Sequence, residues 1–146
     1  MRITRSFSGL LTLALLAVLA TGCSNDVPTS ASATPGYSQT DVRVGSGTEV
    51  GLGSVLTVHY TGWLYDPTKT DGKGLQFETS RGQDPFSFTV GAGQVIAGWD
   101  QGLLGVKAFG IRRLVLPPSL AYGPGRNGPI PPNGTLVFDI EVLSVQ

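Results

Sequence analysis

The sequence is short of the groups on which most side-chain chemistry depends: its 146 residues hold one cysteine, Cys23, and one histidine, His59. A single cysteine excludes a disulfide within the chain, and one Cys with one His cannot supply the four ligands of a structural zinc site. Charge is also scarce. Only 14% of residues are Asp, Glu, Lys or Arg, and ten bases cancel ten acids. A chain with no positive excess does not hold nucleic acid by bulk electrostatics. The apolar run Leu10–Ala20 is eleven residues long, against the roughly 20 that a bilayer-spanning helix needs. No nucleophilic triad can be assembled either. His59 lies in an alternating stretch with Thr57 and Thr61, on the face opposite Tyr60, where a general base would not reach a substrate on the Tyr60 side.

What the sequence has in quantity is glycine, 21 residues, and proline, 10, together with 40% hydrophobic residues. This is the composition of one domain with a real core and frequent turns. At the amino end, Arg2 and Arg5 precede the apolar run, as in the n- and h-regions of a signal peptide. Ala20-Thr21-Gly22-Cys23 follows, and it resembles the lipobox of bacterial lipoproteins with Ala in place of the usual Leu three residues before the cysteine. The expectation is a signal peptide over 1–22, lipidation of Cys23 and export to the cell envelope on a membrane anchor. Secretory cleavage after Ala20 or Gly22, leaving Cys23 a free thiol, is the alternative. Residues 23–39 are rich in Ser, Thr, Pro and Ala and read as a flexible tether, so the folded domain is expected over 40–146. Loss of Arg2 and Arg5 with the signal would leave it slightly acidic, with no nucleic-acid partner.

Within that domain, Val55–Leu64, Phe86–Val90, Ile111–Leu116 and Leu136–Leu143 carry the period-two or β-rich patterns of strands, and Asp41–Val44 adds a short one. Ile96, Trp99 and Leu103 recur at helical spacing. Gly98 and Gly102 each cost about 1 kcal/mol in a helix interior, so this helix must be short and held by packing. The fold class is α+β, an antiparallel sheet with one helix on its apolar face. Tyr65–Gln76 and Gly123–Gly134 read as long irregular connections, with Ile130 offered from the second as a rim residue. Gly45-Ser46-Gly47 and Gly91-Ala92-Gly93 read as turns. Of Arg112 and Arg113, which point to opposite faces of a strand, at least one is expected in solvent. The aromatics Tyr60, Phe77, Phe86, Phe88, Trp99, Tyr122 and Phe138, with Ile96, are enough to wall a cavity between sheet and helix.

Seven strings in fixed order, Val58-His-Tyr-Thr-Gly62, Phe77-Glu-Thr-Ser-Arg81, Pro85-Phe86, Gln94-Val-Ile-Ala-Gly-Trp99, Arg112-Arg-Leu-Val-Leu-Pro-Pro118, Ala121-Tyr-Gly123 and Ile130-Pro-Pro132 running into Thr135-Leu-Val-Phe-Asp139, give the chain a resemblance to the FKBP-type peptidyl-prolyl cis-trans isomerases. The resemblance implies a curved antiparallel sheet wrapped around a short helix, and isomerisation of X-Pro bonds without cofactor or metal. It also implies Pro-containing polypeptides as substrates and macrolides as possible inhibitors. Tyr60, Phe86, Val95, Ile96, Trp99, Tyr122 and Phe138 correspond to the family's proline pocket, with Trp99 as floor. Phe77, Glu78 and Ile130 correspond to its edge, and the Ile96 N–H and Tyr122 hydroxyl to its hydrogen-bond donors. Glu78 stands where the family usually has Asp, and the segment Gly82-Gln83-Asp84 is short and lacks a second Arg. Those departures keep a second function open, a module that binds Pro-containing segments as a chaperone with little turnover.

Overall fold

A computed structural model describes residues 34–146; the expected signal peptide, Cys23 and the tether up to residue 33 lie outside them. Six strands form one antiparallel sheet: β1 (Ser38–Arg43), β2 (Val55–Tyr65), β3 (Lys73–Thr79), β4 (Phe86–Thr89), β5 (Ile111–Leu116) and β6 (Leu136–Val145). The spatial order is β1-β5-β6-β2-β3. β4 pairs with Val55–Val58 and β3 with Thr61–Tyr65, so the two share the outer edge of β2. The helix α1 (Ala97–Gly102) and a 3-10 turn at Pro118–Leu120 complete the described elements.

Alternation explains the central strands. On β5, Arg112, Leu114 and Leu116 are buried while their neighbours are half-exposed, and on β6 Leu136, Phe138, Ile140 and Val142 turn inward. With Leu56, Val58, Val90 and Leu103 they make a core in which most side chains are shut off from solvent. Each such aliphatic side chain contributes about 1.5–3 kcal/mol on burial.

The helix lies on this core through its glycines. A Cβ on Gly98 would come within 2.5–3.0 Å of Leu116, and one on Gly102 within 2.7–2.9 Å of Leu114. The lost helix propensity is thus exchanged for a close approach to β5 that seats Trp99. Arg112 then fastens the arrangement: its Nε donates to Asp41 Oδ1 on β1 at 2.6 Å and its Nη1 to the Gly102 carbonyl at 3.0 Å. A cation on the last carbonyls of a helix also suits the helix dipole.

Several expectations are corrected. The connection after β2 is irregular only to Gly72, because β3 begins at Lys73. β1 begins at Ser38, inside the stretch read as tether. Neither arginine of the pair stands free: Arg113 forks onto Asp139 at 2.7 and 3.0 Å, while Arg112 is buried. The Gly91–Gly93 segment is a turn, as expected, and its amides are used inside the fold, donating to the Asp100 carboxylate from Gly91 at 2.8 Å and from Gly93 at 3.1 Å.

Candidate active site

Trp99 enters the space between sheet and helix from the first turn of α1 and is 4% exposed. Three rings surround it. Tyr60 from β2 stands edge-on with centroids 5.0 Å apart, Phe138 from β6 edge-on at 5.3 Å, and Phe88 from β4 tilted at 5.7 Å. Edge-to-face contacts put the positive edge of one ring on the negative face of another, worth about 0.5–1.5 kcal/mol each beyond burial. The indole Nε1 is buried and, among the described residues, meets no hydrogen-bond acceptor.

Above this floor opens a cleft of about 480 Å³. Tyr60, Phe86, Val95, Ile96, Tyr122 and Phe138 line it with Trp99, as do Glu78 and Gln94. Seven residues assigned to the pocket from sequence therefore share one cleft. Phe77 and Ile130 do not line it. Phe77 stands behind Phe138, edge-on at 5.6 Å, and both Phe77 and Ile130 line an adjoining hollow of about 420 Å³ with Glu78, Tyr122, Asn127 and Pro129. Ile130 is no exposed rim: it is 4% exposed, because a tight turn pairs the backbone of Asn127 with its own in both directions.

The β2–β3 register explains how Phe77 and Glu78, consecutive in a strand, both reach this region. Gly62 faces Glu78 and Trp63 faces Gln76, which leaves Phe77 without a partner. A bulge of this kind re-aims a side chain that strict alternation would send to the other face. Gly62 is required beneath it, since a Cβ there would lie 2.6 Å from Phe77 Cζ and 2.7 Å from Phe138 Cε1.

Polar groups in the cleft are few and fixed. The Tyr60 hydroxyl donates to Glu78 Oε1 at 2.9 Å. Burial, and after it that hydrogen bond, push the Tyr60 phenol up to about 12. Tyr122 is raised too, by burial first and then by the Glu78 charge. Among the described residues no acceptor takes the Tyr122 hydroxyl, and none takes the Ile96 N–H where the chain enters α1 in extended conformation. Those two donors are free for a ligand carbonyl. No group of three or more His, Cys, Asp or Glu side chains among the described residues is placed to hold a metal ion.

Two residues that support the cleft were not singled out from sequence. Gln94 accepts the Thr89 N–H through Oε1 at 2.8 Å and joins the end of β4 to the wall at Val95 and Ile96. Ser80, buried in the gap between β3 and β4, donates its N–H to the Tyr60 carbonyl at 3.0 Å and accepts the Tyr60 N–H on Oγ at 2.9 Å. Its hydroxyl also meets His59 Nδ1 at 3.1 Å. Both residues sit in strings that also hold a pocket aromatic, Ser80 in that of Phe77 and Gln94 in that of Trp99, which is the one signal that could have marked them.

A sequence model of the FKBP-type peptidyl-prolyl cis-trans isomerases matches residues 47–143. An FK506-binding protein of Neisseria meningitidis serogroup B is 45% identical over 106 residues, which is 72% of this chain and 92% of the relative. The peptidyl-prolyl cis-trans isomerase Fkbp12 of Drosophila melanogaster is 46% identical over 96 residues, 64% of this chain and 82% of the relative. Among solved structures, that of FkpA from Escherichia coli superposes with a TM-score of 0.61 at 42% identity, covering 76% of this chain; the chain spans about half of FkpA, 48%. With a match that runs from the turn before β2 into β6, the chain belongs to the FKBP-type peptidyl-prolyl cis-trans isomerases.

Proposed function

We propose that the cleft over Trp99 is where an X-Pro bond is twisted, and that the protein serves the folding of exported polypeptides. Rotation about the bond faces a barrier of about 18–20 kcal/mol because amide resonance is lost, and uncatalysed it takes tens to hundreds of seconds. The twisted amide has less charge separation than the planar one. An aromatic cleft that strips water from the substrate therefore disfavours the planar ground state relative to it. The proline ring rests on Trp99 between Tyr60 and Phe138, with Phe86 and Val95 as walls. The Ile96 N–H and the Tyr122 hydroxyl take the substrate carbonyls and hold the twist. Macrolide inhibitors would occupy the same cleft.

The observation that carries this reading is the perpendicular seating of Tyr60 and Phe138 on Trp99 beside two unused donors. Export and a lipid anchor at Cys23 are supported by the lipobox-like sequence and the apolar run before it.

The test is proline-limited refolding of a substrate protein by the full chain and by Phe138→Ala, at matched folded concentration. Phe138→Leu serves where the alanine variant does not fold. The mutant is expected to lose more acceleration than affinity for a Pro-containing peptide. Equal losses, or peptide binding without acceleration by the wild type, would favour the chaperone reading. For the anchor, mass spectrometry of the mature protein should find acyl chains on an amino-terminal Cys23; a terminus at Thr21 or an unacylated Cys23 would remove it.

A further inference from the structure

The two hollows meet at Glu78 and Tyr122, which line both, and Glu78 is the one carboxylate or cationic side chain in either lining. Its Oε1 holds the Tyr60 hydroxyl. Among the described residues no cation lies within salt-bridge distance of it. The nearest basic residues in sequence are spent elsewhere: Lys73 on Asp139 at 2.6 Å and Arg81 on Glu141 at 2.8 Å. Arg126, on the loop that forms the second hollow, turns back to the Gly128 carbonyl at 3.4 Å. A carboxylate beside aromatic walls, with one oxygen committed and no counter-ion, is a site for a cation brought by the ligand.

We infer that Glu78 sets sequence selectivity, favouring substrates with Lys or Arg adjacent to the proline; this rests on the Trp99 cleft being the proline site. A single Tyr60 side chain separates the two points, its ring 5.0 Å from Trp99 and its hydroxyl 2.9 Å from the carboxylate. The residue next to a proline has its Cα about 3.8 Å away, and a long basic side chain bridges the remainder. Its methylene stem lies in the second hollow against Phe77 and Ile130, and its charge meets Glu78 Oε2.

The experiment uses the full chain with three peptide substrates, Ala-Leu-Pro-Phe, Ala-Lys-Pro-Phe and Ala-Glu-Pro-Phe, and a matching set with the charge after the proline. Turnover and equilibrium affinity are measured at low and high ionic strength. At low salt the Lys peptide of at least one set should exceed its Glu counterpart about five- to tenfold in kcat/KM, and salt should compress the ratio. Glu78→Gln keeps an acceptor for Tyr60 and removes only the charge, so it should bring the ratio to within about twofold. A ratio near one in the wild type at low salt, or one unchanged in Glu78→Gln, would overturn the inference. If no peptide is turned over, the isomerase reading of the cleft fails, and the ratio of peptide affinities still decides the role of Glu78.

Discussion

Gly62→Ala inserts one methyl group where two aromatic walls converge. The new Cβ would lie 2.6 Å from Phe77 Cζ and 2.7 Å from Phe138 Cε1, while ordinary contact begins near 3.4 Å. One or both rings must therefore move by about 0.7–0.8 Å, to the 3.4 Å that this contact scale allows. Phe138 is 2% exposed and wedged against Trp99, whereas Phe77 is half-buried beside a hollow, so Phe77 moves more. Overpacking of this kind costs about 1–3 kcal/mol, and the stiffer unfolded chain returns about 0.4–1 kcal/mol. The net loss, on the order of 1–2 kcal/mol, corresponds to a fall in Tm of roughly 5–15 °C for a domain of this size. Displacement at Phe138 should slow isomerisation at least about tenfold per folded molecule, since misplacing a site by about 1 Å can cost a hundredfold. The control is Gly47→Ala, whose Cβ would lie 2.7 Å from Ala108 Cβ, at a bend whose residues do not line the cleft. Thermal unfolding and protease-coupled peptide assays on both variants decide the matter. Wild-type turnover in Gly62→Ala, or an equal catalytic loss in Gly47→Ala, would refute the claim that Gly62 matters as space for the pocket rings.

Asp100→Ala should release the Gly91–Gly93 turn, lower stability by about 2–3 kcal/mol through loss of two charge-assisted hydrogen bonds, and speed amide exchange at Gly91 and Gly93; unchanged exchange there would contradict the anchoring role. Asp139 is a second case: burial alone would raise its carboxyl, but hydrogen bonds from Arg113 and Lys73 outweigh that and hold it below its ordinary value. Its contribution is complete above the unfolded pKa near 3.8 and is lost as pH falls through the lower folded value, so urea unfolding between pH 2 and 6 should show an acid limb that Asp139→Asn flattens. At the alkaline end the sign reverses. The Tyr60 phenol is held up to about 12, so its stabilising term is whole below about pH 10 and disappears as pH rises towards 12; absorbance at the phenolate band should find Tyr60 still protonated at pH 11, and Tyr60→Phe should lessen the alkaline loss.

The strands legible in the sequence are those with one face in the core and one in solvent. Leu114 and Leu116 on β5, and Leu136, Phe138, Ile140 and Val142 on β6, leave a period-two trace because burial itself has that period. β3 leaves none. It is an edge strand that exposes Leu75 and Gln76, and its bulge at Phe77 breaks the alternation where it bears on the site. The burial of Ile130 is hidden for a related reason: composition marks its loop as Pro- and Gly-rich, while the turn at Asn127 that folds it inward is a backbone pairing with no side-chain signature. The expectation that at least one of Arg112 and Arg113 stands in solvent fails because their partners, Asp41 and Asp139, are distant in sequence. The cleft residues were legible through the family strings rather than through periodicity. What no string conveys is the bond between Tyr60 and Glu78, which depends on the register of two strands.

The last strand in chain order is the middle of the sheet. β6 lies between β5 and β2 and carries Phe138 into the cleft. A chain released from its amino end therefore exposes unpaired edges on both β2 and β5 until residues 136–145 arrive to join them. Closing these distant segments together makes assembly a late, collective event rather than a stepwise one. A product of synthesis or proteolysis that lacks β6 lacks both Phe138 and the strand that joins β5 to β2, so a ligand that fills the cleft acts as a probe of complete folding.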